Sequence, residues 1–292
     1  MRSGVILVNA YSNLKSGANQ AQRLKDEFEK LGVSIKILRN DFFGAKIEGG
    51  NLFNALQGFD FCVYLDKDKY VSQVLEKNGL RLFNRHSAIQ VCDDKAVTAI
   101  ALANHGIKMP KTLAGLLCYD EGAEIPQRAL EKIESELSYP VIIKECYGSL
   151  GKGVFKADNR EELSVLAQQL KCRPHLFQQC IKESLGRDVR VIVIGGRVVA
   201  AMERQSNGDF RSNIELGGKG NKINTPPDMV ELCVKTAEIL GLDYCGIDLL
   251  LGKDGYYVCE VNSNAFFGGI EAVTGVNVAH AYAEHIFKEI YG

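Results

Sequence analysis
The 292-residue sequence predicts an α/β unit over residues 1–85 followed by an α+β segment over residues 86–292. Three observations predict it. In the first part, short apolar runs alternate with amphipathic helical stretches, the pattern of a small, mostly parallel sheet with helices on its faces. In the second part, two pairs of β runs are joined by tight glycine-bearing turns, which is the mark of antiparallel hairpins. The hydrophobic fraction of 46% and charged fraction of 24% are enough to fill and solvate ordinary globular cores.

Element by element, residues 4–9 form an apolar β run. Ser16 can cap a helix that carries Leu24, Phe28 and Leu31 on one face, and Gly32 ends it. Residues 33–38 alternate at period two and residues 59–65 are a second apolar run. A helix over 68–77 and a short strand over 80–83 complete the unit. The first strand-to-helix turn, Asn9-Ala10-Tyr11-Ser12-Asn13, lacks the glycine spacing of a dinucleotide site, so this unit reads as scaffold or substrate side.

One helix is expected from Ser87 or Asp93 to His105, stopped by Gly106 and Pro110. Helices over 126–137 and 160–170 flank a strand over 139–145, a glycine-rich loop and a strand over 175–181. The first hairpin joins 189–194 to 198–202 through Gly195-Gly196. Pro226 then opens a helix that ends at Gly241. The second hairpin joins 246–251 to 256–261 across Lys253-Asp254-Gly255, and a last helix covers 277–290.

Composition also excludes. A net charge of −1 gives no electrostatic case for a nucleic-acid partner, and the apolar run at residues 5–8 is too short for a signal core or a membrane span. The nine cysteines occur singly, with no Cys-x-x-Cys pair, and read as reduced, mostly buried thiols of a cytoplasmic protein. The five histidines show no ligand spacing.

The second hairpin carries the strongest chemistry. Glu260 and Asn262 lie two apart on one strand and so face the same way, and hairpin pairing can bring Asp248 to them. Two carboxylates and an amide oxygen form a hard, oxygen-only set suited to Mg²⁺, whose remaining ligands are commonly phosphates. The alternative is solvated strand ends or salt bridges. A phosphate cradle is offered by Gly148-Ser149-Leu150-Gly151-Lys152-Gly153, whose N–H groups can approach an anion, although a flexible hairpin turn has the same composition. Lys144 on an otherwise apolar strand calls for an anion, and Lys95 adds a second cation. Arg190, Arg204, Arg211 and Asn213 gather around the first hairpin and its loop, a set that suits a phosphoryl group in transfer or an acyl-phosphate. The alternative for Arg190 and Arg204 is salt bridging to Glu203 or Asp188.

In their order and spacing, Asp94-Lys95, VIIKECYGSLGKGV, FQQCIKESLGRDVRVIVIGGRVVAAMER, GDFRSNIELGG, GIDLL and CEVNSNAFFGGIEAVTGVNVA resemble the RimK-type amino-acid ligases of the ATP-grasp superfamily. The resemblance covers about residues 86–290. It implies an ATP-grasp fold, in which two α+β subdomains clamp ATP, behind a small α/β domain at 1–85; a lid-like subdomain falls at about 110–182. It implies that Lys95, Lys144 and the loop residues Gly148, Ser149, Gly151 and Gly153 contact the nucleotide phosphates. Gln178, Gln179 and Ile181 would line the adenine pocket, and Asp188 would bind the ribose. Arg211 and Asn213 would act on the acyl-phosphate, and Asp248, Glu260 and Asn262 would hold Mg²⁺, with Mn²⁺ as a substitute. The implied partners are ATP, a carboxylate and an amine such as an amino acid, with no nucleic acid and no membrane, in a homodimer or homotetramer. This sequence departs from the ribosomal-protein modifiers at Ser263-Asn264-Ala265-Phe266-Phe267, where those read Ser-Ser-Pro-Gly, so their substrate is not implied. The expected activity is ATP-dependent amide formation. The rival readings are a nucleotide-binding regulatory protein without turnover and a phosphotransferase on the same fold.

Overall fold
The computed structural model describes residues 2–12, 15–149, 151–212 and 218–292. Asn213 and Leu150 therefore lie outside the described residues.

The first part runs β1 (Ser3–Val8), α1 (Lys15–Lys30), β2 (Ser34–Arg39), β3 (Ala45–Glu48), β4 (Asn51–Asn54), β5 (Phe61–Leu65), α2 (Lys69–Lys77) and β6 (Arg81–Phe83). Four of these strands pair in parallel in the order β2-β1-β5-β6. Val5, Ile6 and Leu7 are buried on both faces of that sheet, as a parallel strand between helices requires. The hairpin β3–β4 was not expected from the sequence; it is a separate two-stranded ribbon with mostly exposed side chains.

The chain continues through α3 (His86–Asp93) and α4 (Lys95–Leu102). The helix expected here is broken at Asp94, whose backbone is extended (φ −110°, ψ 112°) while its side chain accepts from the N–H groups of Ala96 and Val97. The break puts Lys95 at the first turn of α4.

A second sheet, in the order β7-β10-β8-β9, is antiparallel along its ladders. It comprises β7 (Thr112–Ala114), β8 (Val141–Glu145), β9 (Val154–Ala157) and β10 (His175–Gln179), covered by α5 (Gln127–Leu137) and α6 (Arg160–Leu170). The glycine-rich loop is the connection between the paired strands β8 and β9.

The third sheet, in the order β13-β12-β11-β14-β15, is also antiparallel. Its strands are β11 (Arg187–Ile194), β12 (Arg197–Gln205), β13 (Lys219–Lys222), β14 (Tyr244–Gly252) and β15 (Gly255–Asn262), with α7 (Pro227–Ile239) between β13 and β14. β12 runs three residues beyond the expected end at 202, which puts Arg204 on the strand rather than in the loop after it.

α8 (Gly268–Thr274) and α9 (Val278–Tyr291) close the chain. Leu24 and Phe28 of α1, Phe61 and Phe83 of the first sheet, and Tyr282 and Ile286 of α9 share one apolar cluster with Ile192 of the third sheet. The first and third sheets therefore share a continuous core, which fixes the first sheet's strand ends relative to β14–β15.

Candidate functional site
The site is built on the alternation of the third sheet. Val189, Val191, Ile247, Leu249 and Val261 project to one face and pack into an apolar cluster with α7. The residues between them project to the other face. Strand register sets Arg190, Asp248 and Glu260 in one row across β11, β14 and β15, with Arg204 opposite Asp188 and Asn262 opposite Gly246 on the neighbouring rows. The register slips immediately after Asp248, a bulge at the site itself. Gly246 is needed here: a Cβ would lie 2.5 Å from the Cβ of Ala265 and 3.2 Å from Cδ of Arg190. Its bare backbone lets both the Arg190 stem and the 263–267 segment come close.

On the polar face the charges form a chain. Both Asp188 oxygens accept from Arg204, Oδ1 from Nε at 2.7 Å and Oδ2 from Nη2 at 2.5 Å. The same Nη2 lies 3.0 Å from Oδ1 of Asp248. Arg190 donates to both Asp248 oxygens, through Nη2 to Oδ2 at 2.7 Å and through Nε to Oδ1. Asp188, Arg204 and Asp248 are all buried. Burial pushes the Asp248 carboxyl up, but the guanidiniums of Arg190 and Arg204 more than reverse this and hold it below the usual carboxylate range. For Asp188 burial and the nearby Asp248 charge outweigh Arg204, and its pKa is raised. Burial alone would lower the Arg204 pKa, but the two carboxylates raise it. The salt-bridge alternative for Arg204 is thus realised with Asp188, which also lines the cleft between the second and third sheets.

Glu260 is different. Its carboxylate lies 3.8 Å from Lys95 Nζ and faces two cavities. Lys95 Nζ also donates to the carbonyl of Gly148 at 3.1 Å, tying α4 to the glycine loop. Lys144 is buried, and its Nζ meets the Cys259 thiol at 3.2 Å. Among the described residues no carboxylate lies within ion-pair distance of it. Burial raises the Cys259 thiol pKa, so Lys144 faces a neutral partner. Lys95, Lys144, Cys259 and Glu260 line one small cleft together.

Arg211 does not reach this row. Its guanidinium is bound by Asp209 (Nη2–Oδ2 2.7 Å) and donates to the Gly151 carbonyl at 2.9 Å, so it braces the glycine loop over the cleft. Hydrogen bonding to Asp209 raises its pKa. Gln178 is buried and donates to Thr112 Oγ1 at 2.9 Å, while Gln179 is exposed at the end of β10. Gln178, Gln179 and Ile181 line a cleft between the second and third sheets that reaches Gly151, Arg211, Asp188, Asp248 and Glu260. Gly148 and Gly153 flank that loop, with Gly153 accepting from the N–H of Glu145 at 2.8 Å. Ser149 instead faces a second cavity.

That second cavity, of about 600 Å³, lies on the far side of the same row. Arg190, Arg204, Asp248, Glu260 and Asn262 form one wall; Asn9, Gln20, Arg39 and Asp66 of the first part form another, and Asn264 and Phe266 a third. Arg204, Asp248 and Glu260 border both cavities. The sequence reading left the turn after β1 unassigned between scaffold and substrate side, and it missed Asp66 and Gln20. A usable signal existed: Asn9, Asn40 and Asp66 each follow the end of a parallel strand, where open α/β sheets place ligands.

Asp248, Glu260 and Asn262 fit a divalent cation by the chemistry of their donors. All three offer hard oxygens, Asp248 is held ionised, and Glu260 keeps its carboxylate turned to the cavities. No group of three or more His, Cys, Asp or Glu side chains that could hold a metal occurs among the described residues, so this set rests on the Asn262 amide as third donor.

Comparison with known proteins follows the same lines. The RimK-like ATP-grasp domain matches residues 92–286. The chain belongs to the RimK-like ATP-grasp family. It is 40% identical over 229 residues to the β-citrylglutamate synthase B of Danio rerio, a match covering 77% of this chain and 55% of that protein. It is 34% identical over 224 residues to a probable alpha-L-glutamate ligase of a Marinomonas strain, covering 76% of this chain and 72% of that one. The chain thus spans about half the length of the synthase. The ATP-grasp ligase PsnB, solved with a phosphomimetic precursor variant, Mg and ADP, superposes with a TM-score of 0.70 at 18% identity, over 99% of both chains. The fold is therefore that of an ATP-grasp protein. No helix among the described residues is long and apolar enough to cross a membrane, and all nine cysteines are free, six of them buried.

Proposed function
We propose that this protein is an ATP-dependent carboxylate–amine ligase that forms an amide bond through an acyl-phosphate. The observation that carries this reading is the wall shared by two cavities: Arg204, Asp248 and Glu260 border both the cleft between the sheets and the 600 Å³ cavity beside the first part. A phosphoryl group delivered from one cavity to an acceptor in the other crosses at that wall.

In this reading ATP lies in the cleft, its base near Gln178, Gln179 and Ile181. Its phosphates lie against Lys95, Lys144 and the loop carrying Gly148, Ser149, Gly151 and Gly153. Lys144 supports this most directly, because a buried ammonium beside a neutral thiol lacks the anion that would stabilise it. Asp188 acts through Arg204, which it orients, and its place at a ribose is not part of the proposal. Asp248, Glu260 and Asn262 would hold Mg²⁺, which when bound offsets the charge of the phosphates and polarises the γ-phosphoryl group. The residues 1–85 serve the substrate side, residues 86–292 form the ATP-grasp unit, and 110–182 its lid.

The chemistry balances without a nucleophilic side chain. A substrate carboxylate oxygen, held by Arg190, attacks the γ-phosphorus, and the bond to the ADP oxygen breaks. Arg211 steadies the acyl-phosphate from the loop side, and Asn213 is assigned the same role. The amine nitrogen then attacks the acyl carbon, the bond from that carbon to the phosphate oxygen breaks, and phosphate leaves as the nitrogen gives up its proton. The names of the relatives point to L-glutamate as the amine and to citrate as one carboxylate to try first.

The test is ADP release with ATP, Mg²⁺, a panel of di- and tricarboxylates and L-glutamate, beside capture of the acyl-phosphate by hydroxylamine. Amine-dependent ADP release and carboxylate-dependent hydroxamate are expected. Phosphorylation that ignores the amine would replace the ligase with a phosphotransferase, and silence in both assays would replace it with a non-catalytic nucleotide binder.

A further inference from the structure
Three charged residues of the first part, Arg39, Asp66 and Lys67, line the 600 Å³ cavity, and neither the cleft nor the metal set explains Asp66. Asp66 follows the last residue of β5, and its neighbours across the parallel sheet are Asn9 after β1 and Asn40 after β2, since Val8 pairs with both Arg39 and Leu65. Asn9 Nδ2 donates to both Asp66 oxygens, at 3.1 and 3.2 Å, Asn40 Nδ2 to Oδ2 at 2.7 Å, and the Lys67 N–H to Oδ1 at 2.7 Å. All four hydrogen bonds come from neutral groups. Asp66 is 6% exposed, and no cation among the described residues lies within 4 Å of it; Lys67 turns instead to Asp93 at 3.4 Å. Arg39, on the same cavity wall, is spent on the carbonyls of Ala10 and Ser12. The Asp68 carboxylate behind it adds a like charge, and burial with that charge pushes the Asp66 carboxyl above its usual range.

A buried carboxylate with fixed geometry, neutral donors and no counter-charge is a socket for a cation. Gln20 and Asn264 also line this cavity, and their amide oxygens are buried without a donor among the described residues. The Gln20 oxygen is identified by its amide nitrogen, which donates to the Ala265 carbonyl at 3.3 Å. The cavity thus has guanidiniums on the wall shared with the cleft and, on the wall contributed by the first part, a carboxylate whose hydrogen-bond partners are all neutral. We propose that Asp66 docks the ammonium group of the amine substrate, so that the first part of the chain selects an amino acid in its zwitterionic form. This rests on the ligase reading above and assigns the amine's place within it. Asp66 acts as a positioning and specificity residue: the ammonium docks by charge-assisted hydrogen bonds while the carboxylate substrate occupies the Arg190 side, and the nitrogen releases one proton to solvent water before it attacks the acyl carbon and a second as the amide forms.

The experiment is steady-state kinetics of the whole chain with ATP, Mg²⁺, citrate and L-glutamate, comparing wild type with Asp66→Asn. The expected result is a rise of at least about tenfold in KM for L-glutamate, with KM for ATP and for citrate held within about twofold. An unchanged KM for L-glutamate overturns the assignment, and so does an equal rise for all three substrates in a variant with the wild-type melting point. A second measurement needs no variant: 2-hydroxyglutarate, which lacks the ammonium, should compete with L-glutamate at least about tenfold more weakly than its shape predicts from the KM of L-glutamate. Equal affinity overturns the proposal even where Asp66→Asn does not fold. Wild-type protein that forms no hydroxamate from any carboxylate tested removes the ligase reading and this inference with it. Hydroxamate with a glutamate KM indifferent to Asp66 removes this inference alone.

Discussion
Two sets of charge lie within the same site and are treated in opposite ways. Asp188, Arg204, Asp248 and Arg190 form a closed chain in which both oxygens of each carboxylate accept from a guanidinium. Lys144 and Glu260 are not closed: one meets a thiol, the other a single ammonium at 3.8 Å. The first set is satisfied without a ligand, which fixes Arg190 and Asp248 in place before the carboxylate and the cation arrive. The second is complete only when something else arrives, which marks where an anion and a cation enter the site.

The sharpest way to break this comparison is Glu260→Gln, which keeps the shape and removes the charge. Turnover should fall by about 10³-fold or more, while the melting temperature stays within about 2 °C of wild type. Retained turnover would move Glu260 to the structural set. Next in size is Arg204→Met. It leaves Asp188 and Asp248 buried with Arg190 as their one remaining guanidinium, and should cost about 3–4 kcal/mol of unfolding free energy in a urea titration. A loss below about 1 kcal/mol would show that the chain does not hold the sheet.

The third change tests the open half from the other side. Lys144→Met should leave stability unchanged or raise it by up to about 1 kcal/mol, because an ammonium short of a counter-ion is removed and its apolar stem replaced. The same variant should bind ADP with Mg²⁺ about 10–100-fold more weakly by calorimetry. If the variant is strongly destabilised instead, the Lys144–Cys259 contact is structural and the comparison fails.

These contrasts also explain what could be seen in the sequence. The shared face of Glu260 and Asn262 was legible because period-two alternation and a Lys253-Asp254-Gly255 turn are local signals. Lys144 stood out for the same reason, as one charge in an apolar run. The closed chain was not legible as such. Arg190 meets Asp248 through the pairing of β11 with β14, strands far apart in sequence, and nothing local marks that neighbour. Arg204 was placed near the hairpin, and its partner Asp188 was named both as a salt-bridge alternative and, through the resemblance, as a ribose contact. The hairpin β3–β4 was missed because its short strands are mostly exposed and bury almost no apolar residue to show a period. Asn9, Asn40 and Asp66 are single polar residues in three separate segments, gathered only by parallel pairing. Periodicity reports one strand's faces; it does not report which strands meet.

The smallest predicted effect concerns a third arrangement, at the surface where α1 meets α9. Glu27 accepts from Lys30 Nζ at 2.7 Å and Asn277 Nδ2 at 3.0 Å and lies 3.2 Å from His280 Nδ1. Burial raises its carboxyl, but these hydrogen bonds outweigh it and bring its pKa down to about 2. A carboxyl whose pKa is lower folded than unfolded contributes stability above the unfolded pKa, near 4.5, and loses it as pH falls towards the folded one. Glu27→Gln should therefore cost about 1–2 kcal/mol at pH 7, discounted from the full linkage because Lys30 is largely in solvent. The difference from wild type should shrink steadily between about pH 5 and pH 2. Urea midpoints of both proteins across that range would show it. A difference that does not shrink would mean that Glu27 holds α1 to α9 through shape and neutral hydrogen bonds. The closed chain around Asp248 would then be the better guide to how this protein uses paired charge for stability.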